Sequence, residues 1–290
     1  VTRHPSTARI RLLALDIDGT LLDQAGHLPT VVRDAVAWVR ASGVQVVLAT
    51  GRSPWYGVGS IAERLGLRGP QLTMQGALAM DLATGHIERS CALHPRTYLD
   101  VLALAEELGI DPVVATPTGH RASRLLAGID FVSQGPEGGH FRVVPHLRDL
   151  ATQHPMRVYL PTGPERHDDV RRALAHRFLG RAAVVWSDLE GVELIAYGIN
   201  KGAALEWLAA RRGIPLASVA AVGDAWNDIE MLRVAGRSAA MASAPDAVKE
   251  AAHLIVPPSS EAGVIDALAW FFPELVGLGT RELAPVDASA

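Results

Sequence analysis

Cysteine occurs once in the 290 residues, at Cys91, so no disulfide can form within the chain and no cysteine cluster can bind zinc. A lone thiol fits a reducing compartment. Lysine and asparagine are almost as scarce. Of 27 cationic residues two are lysines, Lys201 and Lys249, and there are two asparagines, Asn200 and Asn227. No apolar run approaches the ~18 residues that a membrane-spanning helix needs. The opening Val1-Thr2-Arg3-His4-Pro5 leads into no apolar segment of the secretory kind, and a cytoplasmic location is the expectation. A net charge of −4 lacks the basic excess of a nucleic-acid binder. Neither nucleic acid nor membrane is therefore expected as a partner, and the oligomeric state is left open.

What is present points to an ordered, globular chain. Hydrophobic residues make up 49% and charged residues 20%, enough for a sizeable core and too apolar for disorder. The length is about twice the ~150 residues typical of one domain. Ile10–Ile17 and Val44–Ala49 read as strands buried on both faces. Thr30 is placed to cap a helix with apolar positions Val31, Val32, Ala35, Val36 and Val39, stopped by Gly43, and a second helix is expected from about Pro54 to Leu65. From about Ile87 to Ile195 prolines multiply and a Gly-rich stretch appears at Gly135-Pro136-Glu137-Gly138-Gly139. Helices are expected there at Thr97–Leu108 and Glu165–Phe178, with strands at Arg157–Leu160 and Ala182–Trp186. The α/β rhythm returns after Lys201, with a helix at Ala203–Arg212 and a strand at Ser218–Gly223. The economical reading is an α/β protein: a doubly wound, parallel-sheet, Rossmann-like core (1–86 and 196–290) with an inserted α+β cap domain (87–195), and a loosely ordered tail from about 277.

Ligands of open parallel sheets bind at the carboxyl ends of the strands. Asp16 and Asp18 end the first predicted strand, Thr50 follows the second, and Asp224 ends a later one, with Asn227 and Asp228 just behind. Residues two apart on a strand face the same side, so Asp16 and Asp18 can address one substrate while Gly19-Thr20 turns the chain away. Carboxylates converging without matching bases repel one another. A hard divalent cation relieves this, and Mg²⁺ is the usual choice where phosphates are handled.

Singly these motifs are weak; their order is not. Asp16-Ile17-Asp18-Gly19-Thr20, Thr50-Gly51-Arg52, Lys201-Gly202 and Gly223-Asp224-Ala225-Trp226-Asn227-Asp228 each fall at a strand end or helix start. The chain thereby resembles the haloacid dehalogenase-like phosphatase superfamily, in its large-cap, Cof-type branch, over about residues 10–85 and 197–272. The resemblance implies Asp16 as the nucleophile that forms an aspartyl-phosphate and Asp18 as the acid and then the base. It implies Thr50, with Gly51 and Arg52, Lys201 and Asn227 around the phosphoryl group, Lys201 also serving catalysis. Mg²⁺ would be held by Asp16, Asp224 and the main-chain carbonyl of Asp18, with Asp228 orienting the metal's surroundings or Lys201. The expected activity is Mg²⁺-dependent hydrolysis of a small phosphate ester, a sugar phosphate or a nucleotide-type cofactor phosphate. A phosphotransferase or mutase is the alternative, and a non-catalytic binder of phosphorylated ligands a more distant one.

Two motifs depart from the family pattern. Gln75-Gly76-Ala77 stands where Asn-Gly-Ala is usual, and Met241-Ala242-Ser243-Ala244 where Met-Gly-Asn-Ala is usual. Other features have plainer readings. Gly57-Val58-Gly59-Ser60-Ile61-Ala62 does not directly follow a strand, so it is not read as a dinucleotide site. For His120, His140 and His146 surface and substrate-facing roles cannot be separated, with the surface favoured; His167-Asp168-Asp169 reads as a solvated helix turn, and Cys91 as a buried apolar residue. Trp38, Trp207 and Trp270 read as core, and Trp226 as bordering the site.

Overall fold

The computed structural model describes residues 4–23, 25–125, 139–186 and 191–275. Of the glycine-rich stretch at 135–139 all but Gly139 lies outside these residues, as does the predicted loose tail from about 277. Among the described residues the chain runs β1 (Leu12–Leu15), α1 (Thr30–Ala41), β2 (Gln45–Leu48), α2 (Gly59–Arg64), β3 (Pro70–Thr73), β4 (Leu78–Asp81) and β5 (Ile87–Ser90). It continues through α3 (Pro95–Glu107), β6 (Val113–Thr116), β7 (Gly119–Ala122), β8 (Phe141–Val143), β9 (Arg157–Pro161), α4 (Pro164–Arg177), β10 (Ala182–Trp186) and β11 (Gly191–Ala196). It then passes through α5 (Lys201–Arg211), β12 (Val219–Gly223), α6 (Ile229–Val234), β13 (Arg237–Met241), α7 (Asp246–Ala251), β14 (Leu254–Val256) and α8 (Val264–Phe271). No helix among the described residues is long and apolar enough to cross a membrane.

Contacts divide the chain into two compact units. The first is residues 1–50, 61–67 and 201–290; the second is 51–60 and 68–200. The sequence boundaries at 87 and 195 assigned 51–60, 68–86 and 196–200 to the first part, but these stretches cluster with the second. For 68–86 the reason lies in strand pairing: β3 pairs antiparallel with β4, and β4 with β5.

The first unit holds a parallel sheet, with order β14-β13-β12-β1-β2 among the described residues. Its two central strands, LLAL and VAAVG, are buried throughout, the near-continuous apolar pattern of a sheet covered on both faces. From β1 the chain steps to β2 on one side, and from β12 it steps through β13 to β14 on the other. Right-handed crossovers in opposite directions place the connecting helices on opposite faces, which makes the sheet doubly wound. The strand order reverses between β1 and β12, which leaves a crevice at their carboxyl ends.

Several local expectations are revised. Helix α1 begins at Thr30 itself, with Pro29 preceding it and no side-chain cap. It buries Val32, Ala35, Val36 and Val39 while Val31 is exposed. The helix expected from Pro54 to Leu65 is broken at Tyr56-Gly57, where Gly57 takes φ +68°. Helix α5 starts at Lys201, two residues earlier than predicted.

The second unit carries a largely antiparallel sheet, ordered β10-β11-β9-β6-β7-β8 among the described residues. Alternation divides its faces. Val114, Val158, Leu160, Val192 and Leu194 point to one side and pack with Tyr98, Val101 and Ala105 of α3 and Val170 and Leu174 of α4. Arg157, Ala115 and His120 stand opposite one another across β9, β6 and β7 on the other side. His120 is buried there, against the surface reading, whereas His140 and His146 are exposed. His167 is also buried, while Asp168 and Asp169 face solvent as expected. Trp38, Trp207, Trp270 and Cys91 are only half-buried, so none of them is the core residue predicted.

Candidate active site

The site of the first unit follows from strand register. Leu15 pairs with Val222 on one side and with Leu48 on the other. Asp16 directly follows Leu15, Asp224 follows the last residue of β12, and Thr50 lies just past β2. The Asp16 amide donates to the Val222 carbonyl at 3.0 Å and the Ala49 amide to Leu15 at 2.9 Å, so the ladder holds these ends level. Asp16 and Thr50 are buried at the sheet's carboxyl edge. The Asp18 side chain is exposed.

Lys201 comes to this edge from the first turn of α5. An ammonium at a helix N-terminus is disfavoured by the helix dipole, so its position has to be explained by its partners. Its Nζ donates to Asp16 Oδ1 at 2.7 Å and to Asp228 Oδ1 at 2.6 Å, with the lysine only 1% exposed. The other Asp228 oxygen, Oδ2, accepts from the amides of Asp224 and Ala225, each at 3.0 Å. Asp228 is fully buried and ties Lys201 to the turn that presents Asp224. Thr20 Oγ1 donates to Asp224 Oδ1 at 3.0 Å, linking the turn after β1 to the one after β12.

Gly19 makes that approach possible. Its φ is +72°, and a Cβ there would fall 2.1 Å from Asp224 Oδ2. Any larger residue would displace the Asp224 carboxylate. Thr20 and Gly19 appear in the sequence only as turn residues; the spacing of the motif gives no hint of their hold on Asp224.

One carboxylate oxygen from each of Asp16, Asp224 and Asp228 lies within 4.8 Å of the other two. The side chain of Asp18, placed among the metal residues by its main-chain carbonyl alone, is not in this cluster. Three carboxylates face a single ammonium, and the energetics show the imbalance. Burial, and then the charge of Asp228, raise the Asp16 carboxyl well above its ordinary range, and Lys201 only partly offsets them. Asp224 is pushed up to about 6 by burial and by Asp228. Burial alone would lower the Lys201 ammonium, but Asp16 and Asp228 outweigh it and hold its pKa above the ordinary value. A site of hard oxygen donors with surplus negative charge fits a divalent cation.

Asn227 lies in the short turn Trp226–Asp228, and Trp226 beside it is 51% exposed. Gly51 and Arg52 belong to the second unit. There the Gly51 carbonyl accepts from Arg157, and the Arg52 guanidinium lies 5.5 Å from the Tyr56 ring centre.

The chain is similar to known proteins over most of its length. The model of the haloacid dehalogenase-like hydrolase family matches residues 13–268. A 5-amino-6-(5-phospho-D-ribitylamino)uracil phosphatase of Bacillus subtilis is 30% identical over 262 residues, which cover 89% of this chain and 94% of that one. A pyridoxal phosphate phosphatase of Escherichia coli is 30% identical over 272 residues, covering 85% and 93%. A solved haloacid dehalogenase-like hydrolase from Bacteroides thetaiotaomicron has a TM-score of 0.79 at 22% identity, covering 91% of this chain and all of that one (100%).

Proposed function

This chain belongs to the haloacid dehalogenase-like hydrolases, and from that premise we propose that it is a Mg²⁺-dependent phosphatase of a small phosphorylated metabolite, working through an aspartyl-phosphate on Asp16. The observation that carries the proposal is the buried lysine held between two carboxylates, with Nζ 2.7 Å from Asp16 and 2.6 Å from Asp228, beside a third carboxylate at the sheet's carboxyl edge.

The roles follow from position. Asp16, oriented through Oδ1 by Lys201, attacks phosphorus, and the bond from phosphorus to the ester oxygen breaks. Asp18, two residues on with an exposed side chain, gives its proton to the departing alcohol. It then takes a proton from the water that attacks the aspartyl-phosphate, releasing phosphate and free Asp16. Thr50, Asn227 and the turn Thr50-Gly51-Arg52 hold the phosphoryl oxygens. Lys201 neutralises charge between nucleophile and phosphoryl group, so catalysis is mainly positioning and electrostatics, as phosphoryl transfer requires. Asp228 positions Lys201 and the Asp224 turn. Asp16, Asp224 and the Asp18 main-chain carbonyl would hold Mg²⁺, whose charge would keep Asp16 and Asp224 ionised despite their burial.

The named relatives act on a phosphorylated ribityl pyrimidine and on pyridoxal phosphate, small metabolites that each carry one phosphate ester. We place this chain's substrate in that class, together with sugar phosphates. Phosphate release from a panel of phosphorylated metabolites, with and without Mg²⁺ and with Asp16→Asn as control, tests the reading. Release that survives in Asp16→Asn or in excess chelator would refute it.

A further inference from the structure

On the sheet face of the second unit that is turned away from α3 and α4, charged groups lie buried where apolar residues would be expected. Arg157 of β9 and Glu193 of β11 form an ion pair of 2.8 Å, their side chains only 11% and 7% exposed. The same Arg157 nitrogen, Nη1, donates to the carbonyl of Gly51 at 3.0 Å, across 106 residues of sequence. Nη2 meets His120 Nε2 at a longer 3.5 Å, and burial together with Arg157 pushes the imidazole down to about 3, so it stays neutral.

Gln75 closes the ring. Its Nε2 donates to Glu193 Oε2 at 3.5 Å, and its amide lies so close over Gly51 that a Cβ there would be 2.4 Å from Nε2. Met74 and Gln75 take φ of +50° and +60°, two successive non-glycine residues in the left-handed region. Such conformations persist only where the surroundings over-determine them, and they concentrate at functional sites. Gly51 is thus fixed at two points, its carbonyl by Arg157 and its Cα by Gln75, and both partners are anchored on Glu193.

We propose that Arg157, Glu193 and Gln75 form a positioning device for Gly51-Arg52, locking the Gly51 peptide in the orientation needed to hold a phosphoryl group. This rests on the proposed phosphatase reading for the role of the turn, while the lock itself rests on the hydrogen bonds. A point charge on a shorter stem could satisfy Glu193 or the Gly51 carbonyl but not both, so Arg157→Lys should release the turn. Small misplacements of binding groups cost rate far more than they cost fold.

Two readouts on the full chain test this. Hydrogen–deuterium exchange should show amides of residues 51–56 exchanging at least about tenfold faster in Arg157→Lys and in Glu193→Gln, with the strands of the first unit unchanged. With para-nitrophenyl phosphate and Mg²⁺, kcat should fall at least about tenfold while KM changes less than about threefold. Gln75→Asn, whose side chain is one methylene shorter and reaches Glu193 less well, should show both effects more weakly. Unchanged exchange at 51–56 would overturn the lock, and so would a loss of activity that tracks a lowered thermal midpoint without the local change. If the wild-type protein hydrolyses no phosphate ester, the phosphatase reading fails by itself and the exchange experiment still decides the lock. If Arg157→Lys does not fold, Glu193→Gln carries the same two measurements.

Discussion

Replacing Lys201 with methionine removes one charge from a buried cluster while leaving the stem's packing nearly intact. Two short hydrogen bonds disappear, at 2.7 and 2.6 Å, and three carboxylates are left without a cation. Breaking a buried ion pair from one side costs about 3–5 kcal/mol, a large part of the ~5–15 kcal/mol that holds a domain folded. The volume-conserving swap adds little beyond that. Much of the penalty is electrostatic and must therefore depend on pH. Lys201 lowers both Asp16 and Asp224, so its loss raises two carboxyls that burial and Asp228 already hold high.

A carboxyl with a raised folded pKa binds its proton more tightly when folded than unfolded. Stability then falls as pH rises from the unfolded value of about 3.9 through the folded one, and it returns on acidification. Each further unit of elevation in the variant adds about 1.4 kcal/mol of deficit above that window and none below it. Urea denaturation of wild type and Lys201→Met, both in excess chelator, should therefore show a gap at pH 8 that exceeds the gap at pH 5 by at least about 1.4 kcal/mol. A gap of equal size at both values would show that Lys201 acts by packing alone, and the charge account of the site would fall with it. Lys201→Arg tests size rather than sign. With the lysine 1% exposed, the larger guanidinium has no free space and should cost about 1–3 kcal/mol by overpacking, with kcat/KM down at least about tenfold.

Further outcomes follow from the same geometry. Asp16→Asn should keep the far-UV circular dichroism of the wild type and lose all measurable turnover; wild-type turnover in this variant would exclude an aspartyl-phosphate on that residue. Protons and Mg²⁺ compete for Asp224, whose carboxyl sits at about 6, so calorimetric Mg²⁺ affinity should be about tenfold weaker at pH 5 than at pH 7, and a flat profile would remove Asp224 from the metal site. Gly19→Ala should lose about 1–3 kcal/mol through its positive φ and lose activity as well, because the new Cβ displaces the Asp224 carboxylate; a variant with normal stability and rate would show that Asp224 need not lie against Gly19.

The first unit's site is legible in sequence because its parts sit where local pattern predicts strand ends and helix starts. Apolar runs of a parallel sheet are hard to mistake, and those of β1 and β12 stop at Asp16 and Asp224, which the structure brings into one cluster. Lys201 stands out for a different reason. Where 25 of 27 cations are arginine, a lysine at a helix start breaks both the composition and the dipole rule. The second unit offers no such signal. Arg157 is one arginine among many, and its partners lie far off in sequence: Glu193, 36 residues away, is brought near by the antiparallel register of β9 and β11, and Gly51, 106 residues away, lies in no strand at all. Burial of His120 and His167 is equally invisible, because a polar residue on a covered sheet face or under a helix carries the same letter as one in solvent. Composition misleads over the tryptophans too: Trp38, Trp207 and Trp270 occupy helix positions that are only half covered, since large side chains are seldom fully enclosed.

The two buried polar clusters differ in charge balance, and that difference separates their roles. In the second unit Arg157 is matched by Glu193 and His120 stays neutral, so the cluster is self-compensated and gains nothing from an added ion. Buried charge that is paired and hydrogen-bonded from every side can only hold its neighbours in place. In the first unit a single ammonium faces three carboxylates, two of which are raised toward protonation. Such a cluster is unfinished: in the proposed mechanism a divalent cation would complete it and let it accept a negatively charged phosphoryl group. The proposed reaction thus falls where the charges fail to cancel, and the proposed positioning where they do.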